Sequence, residues 1–74
     1  MSTEYEQHLG KRIRELRMAK GYTQETLAAK FQLQGCDLTR SAVAKIETSQ
    51  RHIKPYELKA LKRILNVTYD DILE

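Results

Sequence analysis

Apolar residues recur at helical spacing through the first part of the chain. They follow one another at intervals of four, four and three residues: Tyr5, Leu9, Ile13 and Leu16. This spacing places them on one face of an amphipathic helix. Gly21 suits the left-handed conformation that commonly ends a helix. The pattern therefore predicts a first helix over residues 4–20, and Thr3 with Glu6 forms a candidate capping box at its start.

Two shorter helices are predicted next, over residues 24–34 and 40–48. Thr23 and Thr39 are favourable N-cap residues for them, and Gly35 suits the C-cap of the earlier helix. A short turn, GCDL, joins the two helices, and its leucine is the expected apolar plug. The predicted buried sides are Leu27, Ala28 and Phe31 in one helix, and Val43 and Ile46 in the other.

The rest of the chain predicts one more helix and a final helical turn. Pro55 suits the first position of a helix over residues 55–65, although Lys54 before it is a poor N-cap. The apolar stripe of this helix is Leu58, Leu61, Ile64 and Leu65. A last turn over residues 69–73 has Thr68 with Asp71 as its capping box and Ile72 with Leu73 facing inward. Since no segment shows period-two alternation, the expected fold is all-α, with five helices forming a single domain over residues 1–74.

The composition argues against a membrane-spanning or secreted protein. No apolar run approaches the roughly 20 residues that span a membrane, and the N-terminal sequence MSTEYEQH lacks the features of a signal peptide. Cys36 is the only cysteine among 74 residues, so an internal disulfide is impossible. A lone thiol fits a reducing compartment, and we expect a cytoplasmic protein.

The positive charge is unevenly distributed. The formal net charge is +3, and the segment 39–54 holds four basic residues and one acidic residue. A local basic patch indicates a polyanionic partner, although an ordinary soluble surface with extra lysines remains the alternative. His8, His52 and Cys36 form no cluster with metal-ligand spacing, and no acid/base pair is evident. We therefore expect no enzyme activity, no metal, no cofactor and no small-molecule ligand.

Three sequence motifs carry a family resemblance. The chain contains IRELRMAKGYTQ, TQETLA and VAKIE, and together they resemble the lambda-repressor/Cro (XRE) type of helix-turn-helix DNA-binding family. The resemblance implies a compact five-helix lambda-repressor-like domain with the helix-turn-helix at the second and third helices. One departure is the eight-residue segment QLQGCDLT between Phe31 and Arg40, where the usual spacing is nearer three. We interpret it as about one extra turn of the second helix plus a longer connecting turn.

The resemblance assigns roles to individual residues. The helix over residues 40–48 would lie in the major groove of DNA and read bases. Arg40 suits guanine, Ser41 suits several base edges, and Ala44 suits a thymine methyl group. Lys45 reaches either a base or a phosphate. The candidates for phosphate contacts are Gln24, Thr39, Thr48, Gln50, Arg51, Lys54 and Arg12.

Other interpretations of these residues stay open. The alternative for Arg40 and Lys45 is two solvated charges on an exposed helix, and Thr39 can equally be a helix cap only. In the family, the positions of Arg17 and Glu47 form a salt bridge between the first and third helices.

The expected function is sequence-specific binding of double-stranded DNA by a transcriptional regulator. Repression is the expected mode, and a homodimer is expected on DNA. The alternative is a protein-interaction module on the same fold, such as an antitoxin or the partner of an anti-repressor. The basic residues of the third helix argue against a purely protein-binding role.

Overall fold

A computed structural model describes residues 4–74, apart from the side chain of Glu6. The candidate capping box of Thr3 and Glu6 therefore lies outside the described residues. The elements in chain order are α1 (Glu4–Ala19), α2 (Gln24–Leu33), α3 (Arg40–Glu47), α4 (Pro55–Leu65) and α5 (Tyr69–Leu73). Over residues 4–74 the structure contains helices and no strands, which confirms the all-α prediction. The first three predicted helices were each one residue too long at the C-terminal end.

Threonine hydroxyls cap the N-termini of three of the helices, as the sequence predicts. Thr23 Oγ1 accepts the Thr26 N–H at 3.0 Å, and Thr39 Oγ1 accepts the Ala42 N–H at 3.1 Å. Before α5, Thr68 Oγ1 accepts the Asp71 N–H at 3.0 Å, and the Asp71 carboxylate accepts the Thr68 N–H at 2.9 Å. Each cap satisfies backbone donors that have no partner within the helix.

Left-handed residues end α2 and α4. Gly35 has φ +80°, and the following N–H of Cys36 donates to the Phe31 carbonyl at 2.9 Å. Asn66 has φ 54°, and the following N–H of Val67 donates to the Lys62 carbonyl at 3.2 Å. In both cases a residue that tolerates positive φ lets the chain turn back over the last carbonyl groups of its helix.

Apolar side chains from every helix form one core. Its buried members are Ile13, Leu27, Ala28, Phe31, Cys36, Leu38, Val43, Ile46, Ala60, Leu61, Leu65 and Ile72. The predicted buried residues of α2 and α3 all belong to it. Leu38 is 2% exposed and fills the space under the turn between α2 and α3, as expected of the apolar plug.

Two residues expected on the inner side lie outside the core. The prediction for Leu73 is wrong, because it is 41% exposed while its neighbour Ile72 is fully buried. Successive helical residues are about 100° apart, and α5 packs on α1 with Ile72 on its inner side, which leaves Leu73 at the edge of the core. Tyr5 is 58% exposed because it lies in the first turn of α1, beyond the last core layer.

The helix α3 is held between two neighbours. It packs against α1 on one side and α2 on the other, while α5 packs on α1 and α4 packs on α2. The longer turn before α3 is braced by Gln32, whose amide donates to Asp37 Oδ1 at 3.1 Å and to the Leu38 carbonyl at 2.9 Å. The extra residues in QLQGCDLT thus extend α2 to Leu33 and form a closed turn.

Candidate nucleic-acid interface

The outer face of α3 borders an open cleft at the molecular surface. The residues lining this cleft are Gln24, Thr39, Arg40, Ser41 and Ala44. Gln24 is the first residue of α2 and Thr39 is the N-cap of α3, so the N-termini of both helices meet there. The structure therefore brings together five of the residues that the sequence assigned to DNA contacts.

Two basic residues lie on α3, Arg40 at its first position and Lys45 in its last turn. Arg40 and Lys45 are exposed, and over residues 4–74 neither has an ion-pair partner. The first turn of α3 contains no acidic residue that would offset the positive end of the helix dipole. Lys45 lies one turn after Ser41, on the same face. Backbone N–H groups and the Arg40 side chain thus favour an anion at the start of the helix, and Lys45 extends the positive charge along the exposed face.

A buried ion pair between Arg17 and Glu47 holds α3 against α1. Arg17 Nε donates to Glu47 Oε2 at 2.7 Å, and Arg17 Nη2 donates to Glu47 Oε1 at 3.1 Å. The side chains are only 9% and 1% exposed. Arg17 Nη1 also donates to the Tyr22 carbonyl at 2.7 Å, and Gln24 Nε2 donates to Glu47 Oε1 at 3.1 Å. These contacts join α1, the α1–α2 turn and α2 to the last residue of α3.

The segment after α3 holds four further candidates for phosphate contacts, of which Thr48, Gln50 and Lys54 have no ion-pair partner among residues 4–74. Thr48 Oγ1 donates to the Ala44 carbonyl at 3.0 Å, and Gln50 Nε2 donates to Thr48 Oγ1 at 3.0 Å. Lys54 is exposed, with its Nζ 5.9 Å from the centre of the Tyr56 ring. These polar groups extend the exposed surface of α3 toward α4.

Arg51 forms an ion pair with Glu57. Its Nη1 and Nη2 donate to the two Glu57 carboxylate oxygens at 2.9 and 3.0 Å, and Nη1 also donates to the His52 carbonyl. Glu57 accepts the Lys54 N–H at 2.9 Å as well, which is the hydrogen bond that the third helical residue makes in a capping box. This carboxylate therefore ties the segment after α3 to the start of α4.

The electrostatic balance at Glu57 favours the ionised form. Burial alone would raise the pKa of Glu57, but the hydrogen bonds from Arg51 and the Lys54 N–H, with the two positive charges, hold that pKa below its usual value. The same hydrogen bond raises the pKa of Arg51. Both groups stay charged at neutral pH.

Arg12 lies on the side of α1 that packs against α5. Its Nε donates to the Asp71 carbonyl at 2.7 Å, and its guanidinium is 3.7 Å from the Glu15 carboxylate and 4.0 Å from the Glu74 carboxylate. These contacts fasten α5 to α1. The structure therefore places this candidate beside α5 and away from the cleft.

Two residues that the sequence analysis left out shape the site. Glu57 stands at the third position of a helix that begins with proline, where a glutamate commonly caps the preceding N–H, and this signal could have identified it. Gly10 is a buried glycine within α1, and its Cα faces the backbone of α3. An isolated glycine in a helical pattern often marks close packing, but the sequence does not say against what.

Two other kinds of feature are not found in the described part of the chain. Over residues 4–74 no group of three or more His, Cys, Asp or Glu side chains is arranged to hold a metal ion. Within the same residues, no helix combines the length and the apolar character needed to cross a membrane.

The fold and the cleft together define a helix-turn-helix protein, in which α2 and α3 form the motif. A comparison with protein-family models matches the helix-turn-helix family over residues 13–72. The chain belongs to this family of XRE-type, lambda-repressor/Cro-like DNA-binding regulators, which is not a family of enzymes. Comparisons with curated proteins and with solved structures found no match.

Proposed function

We propose that the protein is a sequence-specific regulator that inserts α3 into the major groove of double-stranded DNA. The observation that carries the proposal is the surface around the start of α3. There, Arg40 lines a cleft at which two helix N-termini meet, and Lys45 follows on the same exposed face of α3. Neither cation has an ion-pair partner among residues 4–74. A groove lined with phosphates complements this surface in charge, and α3 has the dimensions of a groove-reading helix.

The exposed face of α3 would supply the base contacts. Arg40 stands at the first position of the helix, where its guanidinium can donate two parallel hydrogen bonds to guanine O6 and N7. Ser41 offers a hydroxyl that suits several bases. Ala44 has a small side chain that lets a thymine methyl group approach. Lys45 reaches the next base or its phosphate.

The surrounding polar groups would supply phosphate contacts and fix the orientation of α3. Gln24 lies at the cleft, and Thr48, Gln50 and Lys54 follow α3. Thr39 would combine its capping role with a phosphate contact through the positive end of α3. Such contacts position a protein on DNA without reading its sequence.

Arg51 and Arg12 remain candidate phosphate ligands with a weaker claim. Each would have to share its guanidinium with an existing partner, Glu57 for Arg51 and the α5 region for Arg12. We propose that the main contribution of Arg51 to DNA binding is the position of the segment after α3.

We further propose that the protein is a cytoplasmic repressor that binds as a homodimer. A small protein seated in the groove blocks the access of other proteins to the same DNA, which supports repression. A single module of this size buries only about 600–1,000 Å² on DNA, so tight binding favours two copies on half-sites about 34 Å apart. Exposed Tyr56 and Tyr69 are candidate contacts between the copies. Gel filtration with and without a duplex tests the stoichiometry.

Selection from random duplexes at physiological salt tests the reading of sequence. We expect one enriched motif for the natural protein, and loss of preference at one base position for Arg40→Ala. Binding to the motif should weaken by about 1–3 kcal/mol, since a bidentate base contact is lost. The matched control is Arg14→Ala, which removes an exposed arginine from α1 and should leave the motif intact. An unchanged motif in Arg40→Ala would contradict the proposed role of this side chain.

One observation favours a second candidate, a protein-interaction module such as an antitoxin or the partner of an anti-repressor. A cavity of about 290 Å³ lies between α1, the segment after α3 and α4, and its lining includes the exposed side chains of Tyr5 and Leu73. If selection enriches no DNA motif, this candidate replaces the first.

A further inference from the structure

The backbones of α1 and α3 touch at Gly10. A Cβ atom built on Gly10 would lie 2.6 Å from the Ile46 carbonyl oxygen and 2.8 Å from the Glu47 carbonyl oxygen. Both distances are shorter than real Cβ contacts, and both neighbours are backbone atoms that cannot rotate away. Any side chain at this position therefore requires one of the two helices to move.

The C-terminal end of α3, which contacts Gly10, is held by backbone hydrogen bonds to the segment that follows it. The Ile46 carbonyl accepts the Ser49 N–H at 3.1 Å, and the Lys45 carbonyl accepts the Gln50 N–H at 2.8 Å. A displacement of this end therefore moves the whole helix, since α3 has only eight residues. At about 1.5 Å per residue, such a helix is roughly 12 Å long.

A second contact on α1 prevents a simple shift of α3. Arg17 lies seven residues after Gly10, which is about two turns and roughly 10 Å further along the same face of α1. It holds the side chain of Glu47, whose carbonyl is one of the groups at Gly10. Because the ion pair holds this residue, pressure from position 10 would tilt α3 out of its present orientation.

We propose that Gly10 is a positioning residue that sets the orientation of α3, and thereby the ability of the protein to distinguish one DNA sequence from another. The proposal rests on the function proposed above. Restoring ordinary contact from 2.6 to 3.4 Å requires a displacement of about 0.8 Å. Hydrogen bonds to base edges occupy a range of only about 0.5 Å, whereas long side chains on phosphates adapt to such a shift. Base reading should therefore suffer more than general affinity for DNA.

The test compares the affinity for the selected motif with the affinity for a scrambled duplex. For Gly10→Ala we expect the ratio of the two affinities to fall by about tenfold or more, the effect of losing one good base contact. The affinity for the scrambled duplex should stay within about twofold, because it depends on phosphate contacts. The amide NMR signals of α3 should shift more than those of α4.

Ile72→Val is the matched control for stability. It removes one methylene from the core at α5, which lies outside the helix-turn-helix motif, and it should leave the affinity ratio unchanged. Lower stability alone reduces binding to both duplexes equally, so it cannot imitate the expected result. If Gly10→Ala is partly unfolded, all proteins are measured in the same sucrose concentration, which favours the folded state.

Three outcomes would overturn the proposal. An unchanged affinity ratio in Gly10→Ala, while the natural protein selects a motif, would overturn the role of Gly10 alone. A variant that stays unfolded even in sucrose would show that the contact governs folding and not orientation. If the natural protein prefers no sequence, the proposed function fails and the role of Gly10 fails with it.

Discussion

The buried pair of Arg17 and Glu47 allows a quantitative test of how α3 is held. We expect Arg17→Met and Glu47→Met each to destabilise the protein strongly, because each leaves the other charge buried without its main partner. The double variant should lose much less than the sum of the two, because no unpaired charge remains. Methionine is a suitable replacement, since it fills space without a charge and is a good helix former.

The magnitude follows from the burial of the pair. Breaking a buried ion pair by removing one partner typically costs about 3–5 kcal/mol, whereas replacing both partners with apolar residues is often nearly neutral. The side-chain exposures of 9% and 1% place this pair in the buried class. A domain of this length has a total stability of roughly 4–11 kcal/mol. Each single variant should therefore lose about a quarter or more of the free energy of unfolding.

Urea unfolding of the four proteins, followed by circular dichroism, measures the effect. The free energies of the natural protein, the two single variants and the double variant form a cycle, whose coupling we expect to exceed about 2 kcal/mol. If a single variant is unfolded in buffer, the four proteins are compared in the same concentration of a stabilising osmolyte.

Two results would refute this reasoning. Single-variant losses below about 1 kcal/mol would mean that the pair behaves as an exposed surface pair. Additive losses, with a coupling below about 0.5 kcal/mol, would mean that the two side chains stabilise the protein independently.

Two further predictions concern the ends of α2 and α4. Glu57→Gln should lower the free energy of unfolding at pH 7 by about 1.5–3 kcal/mol, since hydrogen bonds to a charged group are lost. Because the pKa of Glu57 is lowered in the folded protein, its contribution is present above the usual glutamate pKa of about 4.3 and is lost as pH falls through the lower folded value. Urea unfolding between pH 7 and pH 3 should therefore show the two proteins converging in acid, and a constant difference would contradict the assignment. Gly35→Ala should cost about 1–2 kcal/mol, because φ is +80°, a conformation that alanine adopts with strain. No neighbour lies within 4 Å of the added methyl group, so this cost comes from the backbone alone. Thermal unfolding should show a smaller loss for Gly35→Asn, and equal losses would argue against a backbone origin.

The sequence predicts the helices well because their signals are local. Thr23, Thr39 and Thr68 each bond to an N–H three residues later, so the cap is contained in a few consecutive residues. Apolar spacing likewise identifies the buried side of α2 and α3 without any knowledge of their neighbours. Local information is less complete at α5, where two adjacent apolar residues compete for one inward position and only Ile72 is buried.

The partners of the charged residues could not be predicted in the same way. Arg12 and Arg51 look alike in the sequence, as basic residues near polar segments, yet one bonds to α5 and the other to the start of α4. Both pairings depend on how separate helices pack. The pattern identifies which residues are charged, but only the fold determines whether a charge is available to DNA.

The contacts around α3 explain why the helix before the motif matters for the motif itself. A helix of eight residues gains little stability from its own hydrogen bonds, so its orientation comes from its neighbours. The structure supplies a backbone contact at Gly10 and a charged contact at Arg17, and both meet the C-terminal end of α3. The opposite end, with Arg40, is left exposed at the cleft. A short helix fixed at one end and exposed at the other can present its first turns to a groove without moving when DNA binds. Changes in α1 that never touch DNA should therefore alter which bases are read, just as changes at Arg40 should, although only Arg40 lies at the exposed end of the helix.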